Sequence, residues 1–290
     1  MQPLIDTELW LARKRRALVR PVEGADFLMR RAAEDLADRL DAVERRFGRA
    51  AALFCQTPTA AEALAGSGKV GEVVRVEMDE ALLAGRPGLL ARPEIVPFEE
   101  GSLDLVVSLL SLHAVNDIPG MLAQIRRALR PDGLFLGALA GAGTLAELRE
   151  SLLAAETEIY GGASPRILPF TDVRDAGALL QRAGLALPVA DVETVTVRYD
   201  TLFDLTADLR AMGETSPLID RSRRPGSRRL FARAAEIYAE RFSDPDRRIR
   251  ASFPVVWMSG WAPDASQQKP LKPGSAKVSL KAILENPPKG

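Results

Sequence analysis

The polar side chains best suited to chemistry follow one apolar run of the chain directly. Residues 103–109 read LDLVVSL, and Ser111, His113 and Asn116 come next. His113 is the single histidine of the chain, and imidazole is the side chain whose ordinary pKa lies closest to neutral pH. It could act as a general acid or base, or hold a substrate. The alternative, which we favour, is a structural role in packing and hydrogen-bonding the turn.

The elements around these polar residues predict where they lie. The apolar run at 103–109 has the character of a buried strand, an amphipathic helix follows, and the sequence RPDG at 130–133 separates it from a second apolar run. A strand–helix–strand unit of this kind predicts parallel strands joined by a right-handed crossover. Ligands of open parallel sheets bind beyond the carboxyl ends of the strands. We therefore expect Ser108, Ser111 and His113 at the mouth of a pocket.

A carboxylate at the end of another apolar run is a second candidate. Glu77 closes the run at 70–76 and lies twenty positions after Thr57. Dinucleotide-binding folds place an acid at this point to bind ribose hydroxyls. A solvated carboxylate at the start of a helix, where the helix dipole favours acids, is an equally good interpretation.

The loop after the first strand lacks the glycines that let a backbone approach a ligand closely. The sequence there is Thr57-Pro58-Thr59, in which Cβ atoms crowd the space and the proline removes a donor. The stretch GSGK at 66–69 precedes a strand rather than a helix. It therefore predicts a plain turn instead of a phosphate-binding loop.

Composition excludes several classes of function. The 290 residues contain 39 Lys and Arg against 39 Asp and Glu, so no overall charge attracts nucleic acid. One cysteine and one histidine exclude an internal disulfide and argue against a zinc site. No apolar run has the length of a membrane span and no secretory signal is visible, so we expect a cytoplasmic location.

Several motifs follow one another in an order that resembles a known family. They are SLHAVND (111–117), GTLAELRESLLAAE (143–156), SPRILPFTDVRDAGALLQRAG (164–184), MGE (212–214), GW (260–261) and SQQKP…GSAKVS (266–279). The strand pair around the PDG turn resembles the class I S-adenosylmethionine-dependent methyltransferases. The full series resembles the methyltransferase-type assembly factors of respiratory complex I, a family described as protein arginine hydroxylases. The resemblance covers roughly residues 5–280.

This resemblance implies a function and a cofactor. The chain is expected to be a methyltransferase-like protein acting on a protein substrate, a subunit of respiratory complex I, with S-adenosylmethionine as cofactor. Its expected cofactor-binding residues are Thr57, Glu77, Ser108, Ser111 and His113. The loop at 57–59, together with Arg92 in place of an acid expected near the adenine, predicts weak or lost cofactor binding. Each lost hydrogen bond to a buried ligand group costs on the order of 1–3 kcal/mol.

Two other functions stay open. The first is a non-catalytic binding or assembly protein of the same fold, which the altered loop favours. The second is a carrier-protein or small-molecule methyltransferase, which the late motifs argue against. Hydroxylation requires a metal or redox cofactor, and no facial triad of metal ligands is recognisable in the sequence.

The pattern of apolar runs predicts an α/β fold of the Rossmann-like class I methyltransferase type. We expect one mostly parallel, seven-stranded sheet within residues 1–262, a helical insert at about 200–248 before the last strand, and a C-terminal extension at 263–290. The short third strand is expected near 94–96. The N-terminal stretch with Trp10 and the basic run Arg13–Arg16 is interpreted as a solvated face, with a lid or partner contact as the alternative.

Overall fold

The computed structural model describes residues 2–223 and 225–268. Within these ranges the helices are α1 (Thr7–Val19), α2 (Phe27–Asp41), α3 (Thr59–Gly66), α4 (Glu80–Leu83), α5 (Ile118–Ala128), α6 (Ala146–Tyr160), α7 (Val173–Arg182), α8 (Leu202–Ala211) and α9 (Arg228–Phe242). The strands are β1 (Phe47–Leu53), β2 (Val70–Glu77), β3 (Leu89–Leu90), β4 (Leu103–Leu109), β5 (Leu129–Ala140), β6 (Ala186–Tyr199) and β7 (Ile249–Trp261).

The seven strands form one sheet in the order β3-β2-β1-β4-β5-β7-β6. The neighbours from β3 to β5 are parallel. β7 is inserted between β5 and β6 and runs antiparallel to both. The predicted mostly parallel, seven-stranded sheet is therefore confirmed.

Local signals explain why the unit around β4 forms. The Asp117 carboxylate accepts a hydrogen bond from the N–H of Gly120 at 2.8 Å and so caps α5. Pro119 lies in the first turn of that helix, where its missing N–H does no harm. β5 begins earlier than expected, because the RPDG sequence becomes an irregularity inside the strand, where the register against β4 shifts and Asp132 has a φ of 63°.

Both faces of the sheet are buried at its centre, which is why the strand at 103–109 is mostly apolar. Val106 packs with Phe135 in the cluster on one face, while Val107 packs with Trp257 in the cluster on the other. Alternate residues of a strand point to opposite faces, so each central strand contributes to both clusters. Helices cover the two faces and leave the carboxyl ends of the parallel strands free to build a site.

The helical insert forms between β6 and β7, as the sequence predicts. α8 and α9 pack with α6 in a third apolar cluster that includes Leu205, Ile237 and Tyr238. The division into a domain at 1–262 and an extension at 263–290 stays a prediction, since residues 269–290 lie outside the described part of the chain.

Two sequence-based expectations are wrong. The third strand is Leu89–Leu90, paired with the end of β2, and not the segment 94–96. That segment is flanked by Pro93 and Pro97, and proline cannot donate to a strand ladder. The N-terminal stretch is not a solvated face: it forms α1, in which Trp10 is 1% exposed and Lys14 is 6% exposed.

The GSGK stretch is a structural turn, as predicted. Gly66 ends α3. The Lys69 ammonium donates to the carbonyl oxygens of Leu40, Asp41 and Val43 at 2.9, 2.6 and 2.9 Å. A cation at the end of α2 satisfies carbonyls that the helix leaves unpaired. The lysine is therefore used within the fold and is not free to bind a phosphate.

Candidate functional site

A cavity of about 730 Å³ opens beyond the carboxyl ends of β1, β4 and β5. Thr57, Leu110, His113 and Ala140 form its floor, one or more from the end of each strand. The helices α1, α6 and α8 complete the walls. The apolar part of the lining includes Leu148, Leu152, Phe170, Leu209, Phe231 and Phe253. Few polar groups in a large apolar cavity are typical of a ligand site.

His113 lies at the inner end of this cavity, with a side chain only 9% exposed. Its Nδ1 accepts a hydrogen bond from the N–H of Ala140 at 3.4 Å. The neutral ring therefore carries its proton on Nε2. This nitrogen lies 4.0 Å from Oε2 of Glu214, and the ring packs at 5.9 Å from that of Phe170. His113 is thus both a packing residue and a donor aimed at a carboxylate.

Glu214 is the acid of the cavity that lies beside His113. Its carboxylate forms an ion pair with Lys14 of α1 and is 27% exposed. Desolvation acts to raise the pKa of Glu214, but the Lys14 ammonium and the His113 ring outweigh it and lower the pKa to about 2. The carboxylate is therefore ionised at neutral pH, and it faces a mostly apolar space.

Helix α1 is held against the segment that carries Glu214. The Lys14 ammonium also donates to the carbonyl oxygen of Met212 at 2.9 Å. The Arg13 guanidinium donates to the carbonyl oxygens of Thr215, at 2.6 Å, and of Ser216. Two successive cations of one helix thus bind one short stretch, residues 212–216.

Gly213 lets α1 approach this stretch closely. It has a φ of +72°, and a Cβ atom there would lie 3.0 Å from Cδ and 3.1 Å from Cα of Lys14. Replacing Gly213 by alanine is expected to lower the free energy of unfolding by about 2–3 kcal/mol, part from the left-handed backbone and part from the contact with α1. Chemical denaturation of the purified protein measures this change.

Gly161 offers a matched control for that prediction. It has a φ of +73°, and its Cβ position meets nothing within 4 Å. Gly161→Ala should therefore report the backbone strain alone, on the order of 1–2 kcal/mol. Equal losses for the two variants would contradict a tight contact between Gly213 and α1.

Glu77 ends β2 as expected but is enclosed. It is 1% exposed, and one carboxylate oxygen lies 3.3 Å from the Arg75 guanidinium. The other, Oε2, finds no hydrogen-bond partner among the described residues. Burial raises the pKa of Glu77 to about 8, against the opposing effect of Arg75. A buried acid with an unused oxygen fits a ribose hydroxyl chemically, but no open path leads to it in this conformation.

The region beside Glu77 is covered by α1. Trp10 packs with Leu82 and Ala114 in a buried cluster, with Met78 against it. Met78 follows Glu77 directly, and the Leu82 carbonyl accepts a hydrogen bond from Arg75 at 3.0 Å. The indole Nε1 of Trp10 finds no partner within the described residues. An ion pair between Arg15 and Asp79 adds a further attachment of α1 to the end of β2.

The loop after β1 contains two residues in the left-handed backbone conformation. Phe54 and Gln56 have φ values of 55° and 64°, a conformation that costs energy for residues other than glycine. Gln56 is held by a hydrogen bond from Nε2 to the carbonyl oxygen of Leu110 at 3.1 Å. The Thr57 hydroxyl lies 3.1 Å from that of Thr59. The side chains here bond to each other and to the next loop.

The five predicted cofactor-binding residues are not brought together. Thr57 and His113 line the cavity, whereas Glu77, Ser108 and Ser111 do not. Ser108 and Ser111 are buried, with hydroxyl oxygens 3.1 Å apart. The expectation that they share the main pocket is wrong, because their hydroxyls pair within the turn. A role in cofactor binding stays a prediction for all five residues.

Lys14 and Glu214 are site residues that sequence reasoning missed. Glu214 belongs to the MGE motif of the family resemblance, which was the one available signal. Lys14 is one of several basic residues in its stretch, and nothing in the pattern separates it from its neighbours.

Two searches of the described residues bear on membranes and metals. In the ranges 2–223 and 225–268, the structure contains no helix with the length and apolar character needed to cross a membrane. Over the same residues it contains no group of three or more His, Cys, Asp or Glu side chains arranged to hold a metal ion.

Comparison with known proteins places this fold among relatives. Residues 55–137 match the family model of a methyltransferase domain. The chain is 38% identical over 262 residues to "Arginine-hydroxylase NDUFAF5, mitochondrial" of Danio rerio, covering 88% of this chain and 81% of the relative. It is 36% identical over 194 residues to the malonyl-[acyl-carrier protein] O-methyltransferase of Laribacter hongkongensis, covering 67% of this chain and 63% of that enzyme.

A solved structure supports the fold. The YcgJ protein from Bacillus subtilis superposes with a TM-score of 0.56 at 14% identity, covering 80% of this chain and 99% of that one. Together with the matching methyltransferase domain, this likeness confirms the Rossmann-like class I methyltransferase fold. The relatives of the first group are named as mitochondrial, so the expected cytoplasmic location of this chain stays a prediction.

Proposed function

This chain belongs to the family of the arginine-hydroxylase NDUFAF5, and we propose that it acts on an arginine side chain of a protein. By the family resemblance, the substrate protein is a subunit of respiratory complex I, and modification of its arginine serves assembly of that complex. One observation carries the proposal: an ionised carboxylate, Glu214, lies at the inner end of a large apolar cavity. An arginine combines a long apolar stem with a cationic head and suits such a cavity.

The residues of the cavity bind and orient the substrate arginine. Glu214 attracts a guanidinium, which matches a carboxylate in shape and charge. The His113 ring is fixed by the Ala140 N–H on its Nδ1, and its Nε2 faces that carboxylate at 4.0 Å, beyond direct hydrogen-bond distance. The apolar walls exclude water and so strengthen this attraction. Transfer of a methyl group or of an oxygen atom to the arginine requires a co-reactant in addition to these side chains.

We also propose that S-adenosylmethionine binds weakly or not at all. The loop at 57–59 carries Cβ atoms and a proline, and Glu77 is enclosed behind Arg75 and α4. These residues do not offer the cofactor an open site. Loss of two ligand hydrogen bonds would weaken binding by about a hundredfold or more.

Calorimetry on the purified protein tests this expectation. Titrations with S-adenosylmethionine and S-adenosylhomocysteine should give weak heats or none. A dissociation constant in the low micromolar range or tighter would contradict the interpretation of the loop. It would also show that α1 moves aside readily enough to open Glu77.

A non-catalytic binding protein is the second candidate function, and the enclosed Glu77 favours it. Such a protein would hold its arginine without changing it. A carrier-protein methyltransferase is a weaker candidate, because the relative of that type that matches 88% of this chain is only 29% identical to it, against 38% for the arginine hydroxylase of Danio rerio.

Mass spectrometry of complex I subunits from cells lacking this chain separates these functions. We expect one arginine-containing peptide to lose the mass of one oxygen atom or one methylene group. Wild-type protein should restore it, and Glu214→Gln should not. Unchanged masses with defective assembly would support the non-catalytic candidate. Unchanged masses with normal assembly would refute the proposed function.

A further inference from the structure

We propose that residues 212–216 form the recognition site for the substrate's cationic side chain, and that α1 fills this site with the chain's own Arg13 and Lys14. This inference rests on the proposed function, since it names the residues that receive the arginine. It adds an internal competitor: the substrate segment must displace the two cations of α1 before its own side chain can bind.

The acceptors of the stretch are arranged for a cation with several donors. The carbonyl oxygen of Met212 and the carboxylate of Glu214 both accept hydrogen bonds from the Lys14 ammonium. The carbonyl oxygens of Thr215 and Ser216 both accept hydrogen bonds from the same nitrogen of the Arg13 guanidinium. Four acceptors within five residues thus bind two positive charges. A guanidinium presents five donors in one plane and can meet several such acceptors at once.

The acceptors face the cavity and not only α1. Met212, Glu214, Thr215 and Ser216 all line it, and so does Lys14. A purely structural ion pair could be buried anywhere along α1, whereas this one occupies the polar end of the ligand space. The Lys14 ammonium therefore lies where a substrate cation would have to bind, and Arg13 occupies two acceptors of the same stretch.

An unused group in the same stretch points to a missing ligand. The Ser216 hydroxyl is buried and finds no hydrogen-bond partner among residues 2–223 and 225–268. Buried hydroxyls are usually paired, because desolvation without a partner is costly. A substrate that replaces the α1 cations could pair this hydroxyl as well, and α1 leaves it unsatisfied.

The attachment of α1 suits a segment that can be displaced. Its apolar anchor is confined to Trp10 and Leu11, and Leu18 and Val19 near its end are 40% and 80% exposed. The other contacts include the Arg13 and Lys14 bonds and the ion pairs of Arg15 with Asp79 and of the N-cap Asp6 with Arg221. Just before the helix, the N–H groups of Leu4 and Ile5 donate to Oδ1 of Asn116. Polar contacts can be exchanged for equivalent contacts with a substrate at little net change in free energy.

Binding of a small arginine probe tests the proposal without requiring catalysis. The probe is N-acetyl-arginine methylamide, and its neutral counterpart is N-acetyl-citrulline methylamide. Lys14→Met keeps the length of the stem and removes the charge, so it frees Glu214 and Met212. We expect this variant to bind the arginine probe at least about tenfold more tightly than wild type, and the citrulline probe no more tightly.

Two further variants make the result decisive. Arg13→Gln frees the carbonyls of Thr215 and Ser216 while Lys14 stays paired, and should also tighten binding of the arginine probe. Adding Glu214→Gln to either variant should abolish the gain. If both single variants fold, as judged by thermal unfolding, and neither binds the arginine probe better than wild type, the proposal is overturned. If Lys14→Met does not fold, the Arg13→Gln result decides alone.

This outcome is separable from that of the proposed function. If an arginine of complex I subunits is modified but no variant binds the arginine probe better than wild type, the proposed function is supported and the proposed recognition site is refuted. If the variants bind the arginine probe more tightly but no arginine of complex I subunits is modified, the recognition site is supported and the non-catalytic function is favoured.

Discussion

Replacing Trp10 by alanine is expected to lower the free energy of unfolding by about 3–5 kcal/mol, the usual loss for a fully buried large aromatic residue. Trp10 is 1% exposed and packs with Leu82 and Ala114. Its removal takes away most of the apolar anchor of α1. Urea denaturation measures the global loss, and hydrogen exchange of the amides in α1 shows whether the helix detaches first.

Trp10→Phe is the control for this prediction. It keeps an aromatic ring in the cluster and removes the indole N–H, which lacks a partner among the described residues. The loss should be clearly smaller than for alanine, since the N–H contributes no hydrogen bond there. Equal losses for the two variants, or unchanged exchange in α1 with alanine, would contradict the proposed anchoring. If α1 covers the cofactor region, the alanine variant should also bind S-adenosylmethionine more tightly.

Replacing Glu77 by glutamine is expected to change how stability depends on pH. Burial raises the pKa of Glu77 from 4.5 to about 8. A raised pKa in the folded state means that the folded protein holds its proton more firmly than the unfolded chain. The stabilisation is therefore complete below about pH 4.5 and is lost as the pH rises towards about 8. The loss is on the order of a few kcal/mol.

The glutamine variant cannot lose this proton, so it should keep its stability across that range. Free energies of unfolding at about pH 5 and about pH 8 measure the difference for each protein. Glu72→Gln on the same strand is the matched control, because Glu72 is 61% exposed and should leave the pH profile unchanged. Parallel profiles for wild type and Glu77→Gln would show that Glu77 keeps an ordinary pKa.

The sequence predicted the centre of the fold well, because local and global signals agree there. The strand at 103–109, the mostly parallel seven-stranded sheet and the helical insert before the last strand are all confirmed. The third strand was predicted in the wrong place, because a strand of two residues is too short to show the alternation of apolar and polar residues that identifies a strand. A strand as short as Leu89–Leu90 is defined by its partner β2 and not by its own sequence.

The candidate site was harder to predict because its contacts join distant parts of the chain. His113 was recognised from its position after a strand. Lys14 and Glu214 are 200 positions apart in the sequence, and no pattern within either stretch indicates that they meet. Glu77 was correctly placed at a strand end, but its enclosure depends on Arg75 and on packing beneath α1, which a linear pattern does not contain.

The distance between α1 and its partners also has a consequence for biosynthesis. α1 is made long before residues 212–216, to which Arg13 and Lys14 bind. During translation the helix must therefore wait until some two hundred further residues have left the ribosome, as the separation of its partners requires. Trp10 meets its own partners earlier, since Leu82 and Ala114 lie about halfway between α1 and residues 212–216. The wall of the cavity is thus among the last parts of the molecule to form, and an incomplete chain cannot capture an arginine prematurely.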